Sequence, residues 1–255
     1  MCQHPAPPAP TLPVATAPYP QDGLERLIVP SPIGWVGTGN PDPEGPQMAR
    51  MSASAVMMMG DNPALARMPA APTLMDFFKL RFGDFTVQHL LASAKRALDD
   101  GHSEKIVLAC LLHDISNGCM IRPDHGYWSA QIVAPYVDEE VAFAIKYHQA
   151  LRYTPDPAVG YEYPANYDMF FGKDYQPPEY IRRDAELARN HRWYMTSRVV
   201  TLNDVYFFED LDPVDPEIFT DIIGRNFRQP VEGLGHDDSP ASHMWRTMIW
   251  PNNFL

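Results

Sequence analysis

The stretch LACLLHDISNG, residues 108–118, ends an apolar run on a histidine and an aspartate, His113 and Asp114. A buried carboxylate is costly unless a cation or hydrogen bonds compensate it, so the pair asks for partners elsewhere in the chain. Four histidine and aspartate positions answer: His89 in VQHLL, His125 in RPDHGYWSA, His148 in IKYHQALRY and Asp204 in TLNDVYFF. Each falls on or at the end of a predicted helix with apolar neighbours. Four imidazoles and two carboxylates suit a pair of transition-metal ions better than the oxygen-only surroundings favoured by magnesium or calcium. An aspartate placed between two cations can bridge them with its two oxygens, which gives Asp114 a role. Taken singly, each residue has a plainer reading. A histidine on an apolar helix face is commonly a hydrogen-bonded core residue, Asp204 alone reads as a helix-surface acid, and periodicity does not group the six.

The elements that must position these residues are helices. DFTVQHLLASAKRALDDGHSEKIVLACLLHDISN reads as two helices, about 86–99 and 103–116, with Gly101 as a stop and Ser103 as a cap. The short turn between them favours an antiparallel pair. A third helix is predicted from near Gly126 to before Pro135, and a fourth over about 138–153 with acidic residues near its positive end. Residues 154–178 read as a structured aromatic loop. A long helix then runs over about 178–209, opened by Pro178, and a short one over 215–223. No alternating strand pattern or internal repeat occurs, so the body reads as all-α.

Around this body the composition changes. Residues 1–75 form an irregular arm rich in Pro and Met, because proline removes backbone donors and fixes φ. Within it MARMSASAVMMMG could form a short packing helix. Residues 76–211 are the helical domain, and 212–255 a tail whose aromatics suggest that it covers the body. The word GLGHDDSP in that tail reads as a turn. With 20 basic and 32 acidic residues the net charge is −12, which argues against nucleic acid or an anionic membrane as main partner. No apolar run reaches the roughly 18 residues of a membrane span. Three cysteines without pairing or metal-knuckle spacing, and an amino terminus without a secretory pattern, fit the cytoplasm.

Over roughly residues 82–210 the spacing and surrounding words, HLLASAKRALDDGHSEKIVLACLLHDI and DHGYWSAQIV above all, resemble the HD-domain metalloenzyme superfamily. The compact branch of mixed-valent diiron oxygenases, like 2-amino-1-hydroxyethylphosphonate dioxygenase, is the most similar. The resemblance implies an HD-type helical bundle with two irons, Fe(II)/Fe(III). His89, His113 and Asp204 would hold one, His125 and His148 the other, and Asp114 would be shared. The chain departs from the phosphonate oxygenase at two places. MDFFKLRFGDFT, upstream of His89, has no tyrosine to serve as a displaceable ligand, and the HD word continues as HDISN. The resemblance therefore implies a reaction class rather than a particular substrate.

Two chemistries fit such a centre. An oxygenase would cleave a small hydroxylated, anionic phosphonate or carboxylate with O2. A phosphohydrolase or phosphodiesterase would use Mn, Mg, Co or Zn to activate water. Asn117 and Arg152 each follow a ligand by four residues and so share its helix face, which makes them candidate substrate contacts. A lysine binds substrate at the matched position in the phosphonate oxygenase, and Arg152 would keep that cation in a fixed fork. Alternatively, Arg152 is a surface residue paired with a nearby acid. Lys173, Arg182 and Arg183 are candidates for a supporting shell or lid. A third reading is a non-catalytic homo-oligomeric scaffold on an HD core; six intact ligand positions count against it.

Overall fold

The computed structural model describes residues 66–119, 124–165, 167–204 and 212–249, and these are all-α: among them the only β pairing is an isolated bridge between Asp156 and Tyr161. The Met-rich stretch and the end of the predicted long helix lie outside the described residues.

The first helix, α1 (Leu74–Leu80), begins ahead of the expected domain boundary at 75/76. Thr73 and Asp76 make a reciprocal capping box, in which each side chain accepts from the other's backbone N–H and so satisfies two donors at the helix start. Helix α2 (Asp84–Asp99) and helix α3 (Glu104–Leu112) follow, separated by Gly101 at φ 74°, as the turn signal predicts. Ser103 does occupy the N-cap of α3, but its side chain makes no capping bond. The predicted single helix over 103–116 is instead α3, a turn at His113–Asp114, and α4 (Ile115–Cys119). Consecutive residues on one unbroken helix point about 100° apart, and adjacent positions do not face each other. His113 still has helical angles, φ −59° and ψ −35°, and both it and Asp114 are buried at this junction.

Helix α5 (His125–Val133) and helix α6 (Glu139–Arg152) occupy the predicted third and fourth positions. A one-turn helix α7 (Tyr167–Phe171) lies within the aromatic loop. The predicted long helix is two, α8 (Glu179–Arg189) and α9 (Tyr194–Asn203). Their junction is held by side chains that compete with helical geometry: the Asn190 amide donates back to the Glu186 carbonyl at 3.0 Å, and His191 stacks on Phe143 at 4.1 Å. In the tail, a 3-10 turn (Pro216–Phe219) leads into α10 (Thr220–Asn226), and α11 (Ser242–Ile249) closes the fold.

Helix α6 is the hub, packing against α9, α5, α3 and α8. The tail does cover the body. Trp245 of α11 is fully buried, donates its indole N–H to the Ile132 carbonyl at 3.1 Å and meets Phe77 edge-on at 4.7 Å. Leu74, Leu108, Phe219 and Trp245 belong to one core, so segments on both sides of the helical domain complete it. The GLGHDDSP word is a turn, as expected. There Gly233, at φ 90°, lets the chain pass so close to Pro72 that a Cβ would sit 2.5 Å from its ring. No described helix is long and apolar enough to cross a membrane.

Candidate metal centre

Five pieces of the fold converge on one point. Helix α2 carries His89, the turn after α3 carries His113 and Asp114, and α5 begins on His125. Helix α6 carries His148, and Asp204 is the residue at which the chain leaves α9 with an extended ψ of 99°. His113, His148, Asp114 and Asp204 are buried, whereas the side chains of His89 and His125 keep 13% of their surface and Arg152 keeps 14%. The least covered side of the cluster is therefore the one formed by His89, His125 and Arg152.

Asp114 faces the histidines with different oxygens. Its Oδ1 lies 3.2 Å from His125 Nε2, 3.3 Å from His148 Nε2 and 3.7 Å from His113 Nε2. Its Oδ2 lies 3.6 Å from His89 Nε2. Asp204 Oδ1 stands 3.5 Å from Nε2 of both His89 and His113. Donor atoms within 4.8 Å of one another form three overlapping sets: His89, His113 and Asp114; His113, His148 and Asp204; and Asp114, His125 and His148. The structure thus brings together all six residues singled out in the sequence, and these buried groups can hold a metal ion.

The donor chemistry fits a cation. His113 Nδ1 is 2.7 Å from the Cys110 carbonyl and His148 Nδ1 is 2.6 Å from the Ile145 carbonyl. A carbonyl only accepts, so both rings carry their proton on Nδ1 and present an Nε2 lone pair to the cluster, the arrangement that orients metal-binding histidines. His148 Nε2, Asp114 Oδ1 and Asp204 Oδ1 are buried without a hydrogen-bond donor, while Asp204 Oδ2 has the Arg152 guanidinium beside it. Lone pairs aimed at one another in a dry site repel unless a cation lies among them.

Burial pushes the His125 imidazole down to about 4 and, likewise, lowers His148, so both stay neutral. Burial would raise the Asp114 carboxyl, but the imidazoles crowded around it, His125 and His113 foremost and then His148 and His89, outweigh it and hold it well below the usual range. Burial is likewise outweighed at Asp204, chiefly by Arg152 and His113, so this carboxylate is also ionised. His113 departs from the pattern: burial lowers it, yet the two carboxylates beside it raise it overall. Burial, with the Asp204 charge, keeps the Cys110 thiol protonated and out of the donor set.

Of the remaining candidates, Asn117 does approach the centre, and its amide donates to Asp114 Oδ2 at 3.2 Å. Arg152 is a partly buried cation rather than a surface one. Its Nε is 3.2 Å from Asp204 Oδ2 and its guanidinium lies over Tyr167 at 5.3 Å. Lys173, Arg182 and Arg183 are exposed, and Arg182 lines a separate hollow with Tyr153, Thr154 and Arg189. The supporting groups that sequence reasoning missed lie on α9. Ser197 donates to the Ala144 carbonyl at 3.0 Å, Thr201 to the His148 carbonyl at 3.4 Å, and the buried Arg198 to the carbonyls of Leu151 and Thr154. Ser197, Thr201 and Asp204 are spaced i, i+4, i+7, a polar stripe readable in SRVVTLND. Comparison with family models and with curated proteins gives no match to either.

Proposed function

We propose that the chain is a non-haem diiron oxygenase of HD type that cleaves a small hydroxylated anion with O2. One observation carries this reading: each of the three donor sets consists of two histidines and one carboxylate. Such faces, with positions left open, are the donor sets of non-haem iron oxygenases. His89, His113 and Asp204 would hold one iron, His125 and His148 the other, with Asp114 between them. A mixed-valent iron pair, when bound, supplies the one-electron chemistry that O2 activation requires.

The protein's own groups do the rest. The carbonyls of Cys110 and Ile145 fix two imidazoles in the lone-pair orientation. Arg152 adds a cation on the least covered side, suited to the phosphonate or carboxylate of a substrate. Leu112, Ile115 and Leu151, all fully buried beside ligand residues, exclude water behind the centre. Two metals, an Arg152 cation and only two carboxylates leave the centre positive, so an anion is favoured there despite the acidic chain.

The test is low-temperature electron paramagnetic resonance on protein loaded anaerobically with iron and partly oxidised. A coupled mixed-valent signal that shifts with hydroxylated phosphonates or carboxylates and decays as O2 is consumed supports the oxygenase. Oxygen-independent phosphoester hydrolysis, equally fast with redox-inert metals, would replace it with the phosphohydrolase.

A further inference from the structure

Asp204 divides its carboxylate between two tasks. Its Oδ1 faces His89 and His113 at 3.5 Å each, and its Oδ2 faces Arg152 Nε at 3.2 Å. A carboxylate whose second oxygen is held by a cation offers a metal only the first. Released from that cation, the same group can turn and chelate with both.

Arg152 is itself held unusually firmly. Its own carbonyl accepts from the Tyr161 hydroxyl at 2.8 Å. The carbonyls on either side, of Leu151 and Thr154, accept from Arg198 at 3.0 and 2.9 Å. Arg198 is fully buried, with its guanidinium over the rings of Tyr161 at 4.6 Å and Tyr194 at 5.6 Å, and its Nε donates to the Tyr194 hydroxyl at 3.1 Å. Burying a guanidinium is costly, and here both carbonyl partners and the Tyr161 ring belong to the end of α6 or the chain that follows it, while Tyr194 braces the guanidinium from α9 itself. Tyr194 in turn donates to Asp156, beyond that end. Helix α9 therefore supplies both Asp204 and the clamp that sets the position of Asp204's cation.

We propose that Arg152 is a positioning residue that confines Asp204 to one metal-facing oxygen and so keeps a coordination position open at the His89 and His113 metal. Arg198 acts through Arg152, by fixing the backbone on both sides of it. This rests on the two-metal reading above, but it concerns the number of ligands at one metal rather than the reaction.

The experiment uses the full chain loaded with cobalt(II) in buffer free of phosphate and of any substrate, with cobalt content and visible absorption measured together. Cobalt absorption weakens as coordination number rises, so it reports the open position without turnover. Wild type should bind two cobalt ions per chain. Arg152→Met should keep both ions but lose absorptivity severalfold, as Asp204 closes onto the metal, while Arg152→Lys should restore it. Arg198→Lys, which keeps the charge and loses the two-carbonyl fork, should lie between. Unchanged absorptivity in Arg152→Met with both ions bound overturns the proposal. If that variant does not fold, unchanged absorptivity in Arg198→Lys does so instead. Fewer than two ions in wild type would overturn the two-metal reading, and this inference with it, before any variant is compared.

Discussion

His148 Nε2 and Asp114 Oδ1 face each other at 3.3 Å in the buried centre, and neither has a proton to offer the other. The ring's one proton is on Nδ1, donated in a hydrogen bond to the Ile145 carbonyl, and the carboxylate is ionised. Such a contact is repulsive in the bare protein and becomes favourable with a cation between the two atoms.

Metal removal should therefore destabilise the fold. A site filled at a hundred times its Kd contributes about 2.7 kcal/mol by mass action. Chelation should lower the melting temperature by several degrees, and restoring metal should recover it. Asp114→Asn should bind neither ion tightly, because Asp114 is the residue common to both sides. His125→Ala should keep the His89 side loaded. Elemental analysis reads the difference, and equal metal content in wild type and Asp114→Asn would remove Asp114 from the centre.

The pH response of the metal-free protein has a definite sign. His125 is lowered from its ordinary 6.5 to about 4, and His148 is lowered as well. Between those values the unfolded chain takes up protons that the folded centre refuses, so stability is full above 6.5 and is lost as pH falls towards 4. The slope is up to about 1.4 kcal/mol per pH unit for each such group. His113 is raised, so below 6.5 it is protonated in both states and adds no slope there. Its stabilising contribution is lost as pH rises above that point. Asp114 and Asp204, both lowered, extend the loss to more acid pH. Melting curves of chelated protein from pH 7.5 to 4.5 should fall steadily on the acid side; a flat response would contradict neutral burial of His125 and His148.

The tail should be part of the folding unit. Trp245 fills the space between Phe77 and Tyr136, and its N–H is satisfied by Ile132. Trp245→Ala should cost about 3–5 kcal/mol, the usual range for deleting a large buried aromatic. A change below about 1 kcal/mol in denaturant unfolding would place the tail outside the cooperative core.

Much of this was legible in the sequence, for identifiable reasons. Helices α5 and α6 matched because Gly126, Pro135 and the acidic start at Asp138 are local signals that tertiary contacts do not override. The six ligand positions stand out as one set because their order and surrounding words resemble the HD-domain pattern; residue type alone does not choose four of nine histidines. The break at His113–Asp114 was hidden because LACLLHDIS has strong helical patterning and the reason to interrupt it is three-dimensional. The division at Asn190–Trp193 depended on Phe143, a distant residue that stacks on His191. Arg198 reads in sequence as an ordinary helical arginine, because its role consists of carbonyls more than 40 positions away. Lys173, Arg182 and Arg183 stand out in the sequence by charge alone, and charge does not indicate direction.

Gly126 joins the packing to the chemistry. It follows His125 directly, its N–H donates to Gln149 Oε1 at 3.1 Å, and it lies against the stretch of α6 that bears His148. An added Cβ would sit 2.9 Å from the Lys146 carbonyl oxygen and 3.1 Å from that of Ile145. These are backbone atoms of a central helix, and the Ile145 carbonyl is the one that fixes the His148 ring, so neither can move aside at little cost. Alanine in place of glycine in a helix gains at most about 1 kcal/mol from propensity. The overpacking costs about 1–3 kcal/mol, so Gly126→Ala should be destabilising on balance. The displacement should also separate His125 from His148 while leaving His89, His113 and Asp204 in place. One metal ion should then be lost selectively, with the other retained. Full loading with wild-type stability would show that α5 and α6 have slack at this contact, and would remove Gly126 from the set of residues that fix the centre.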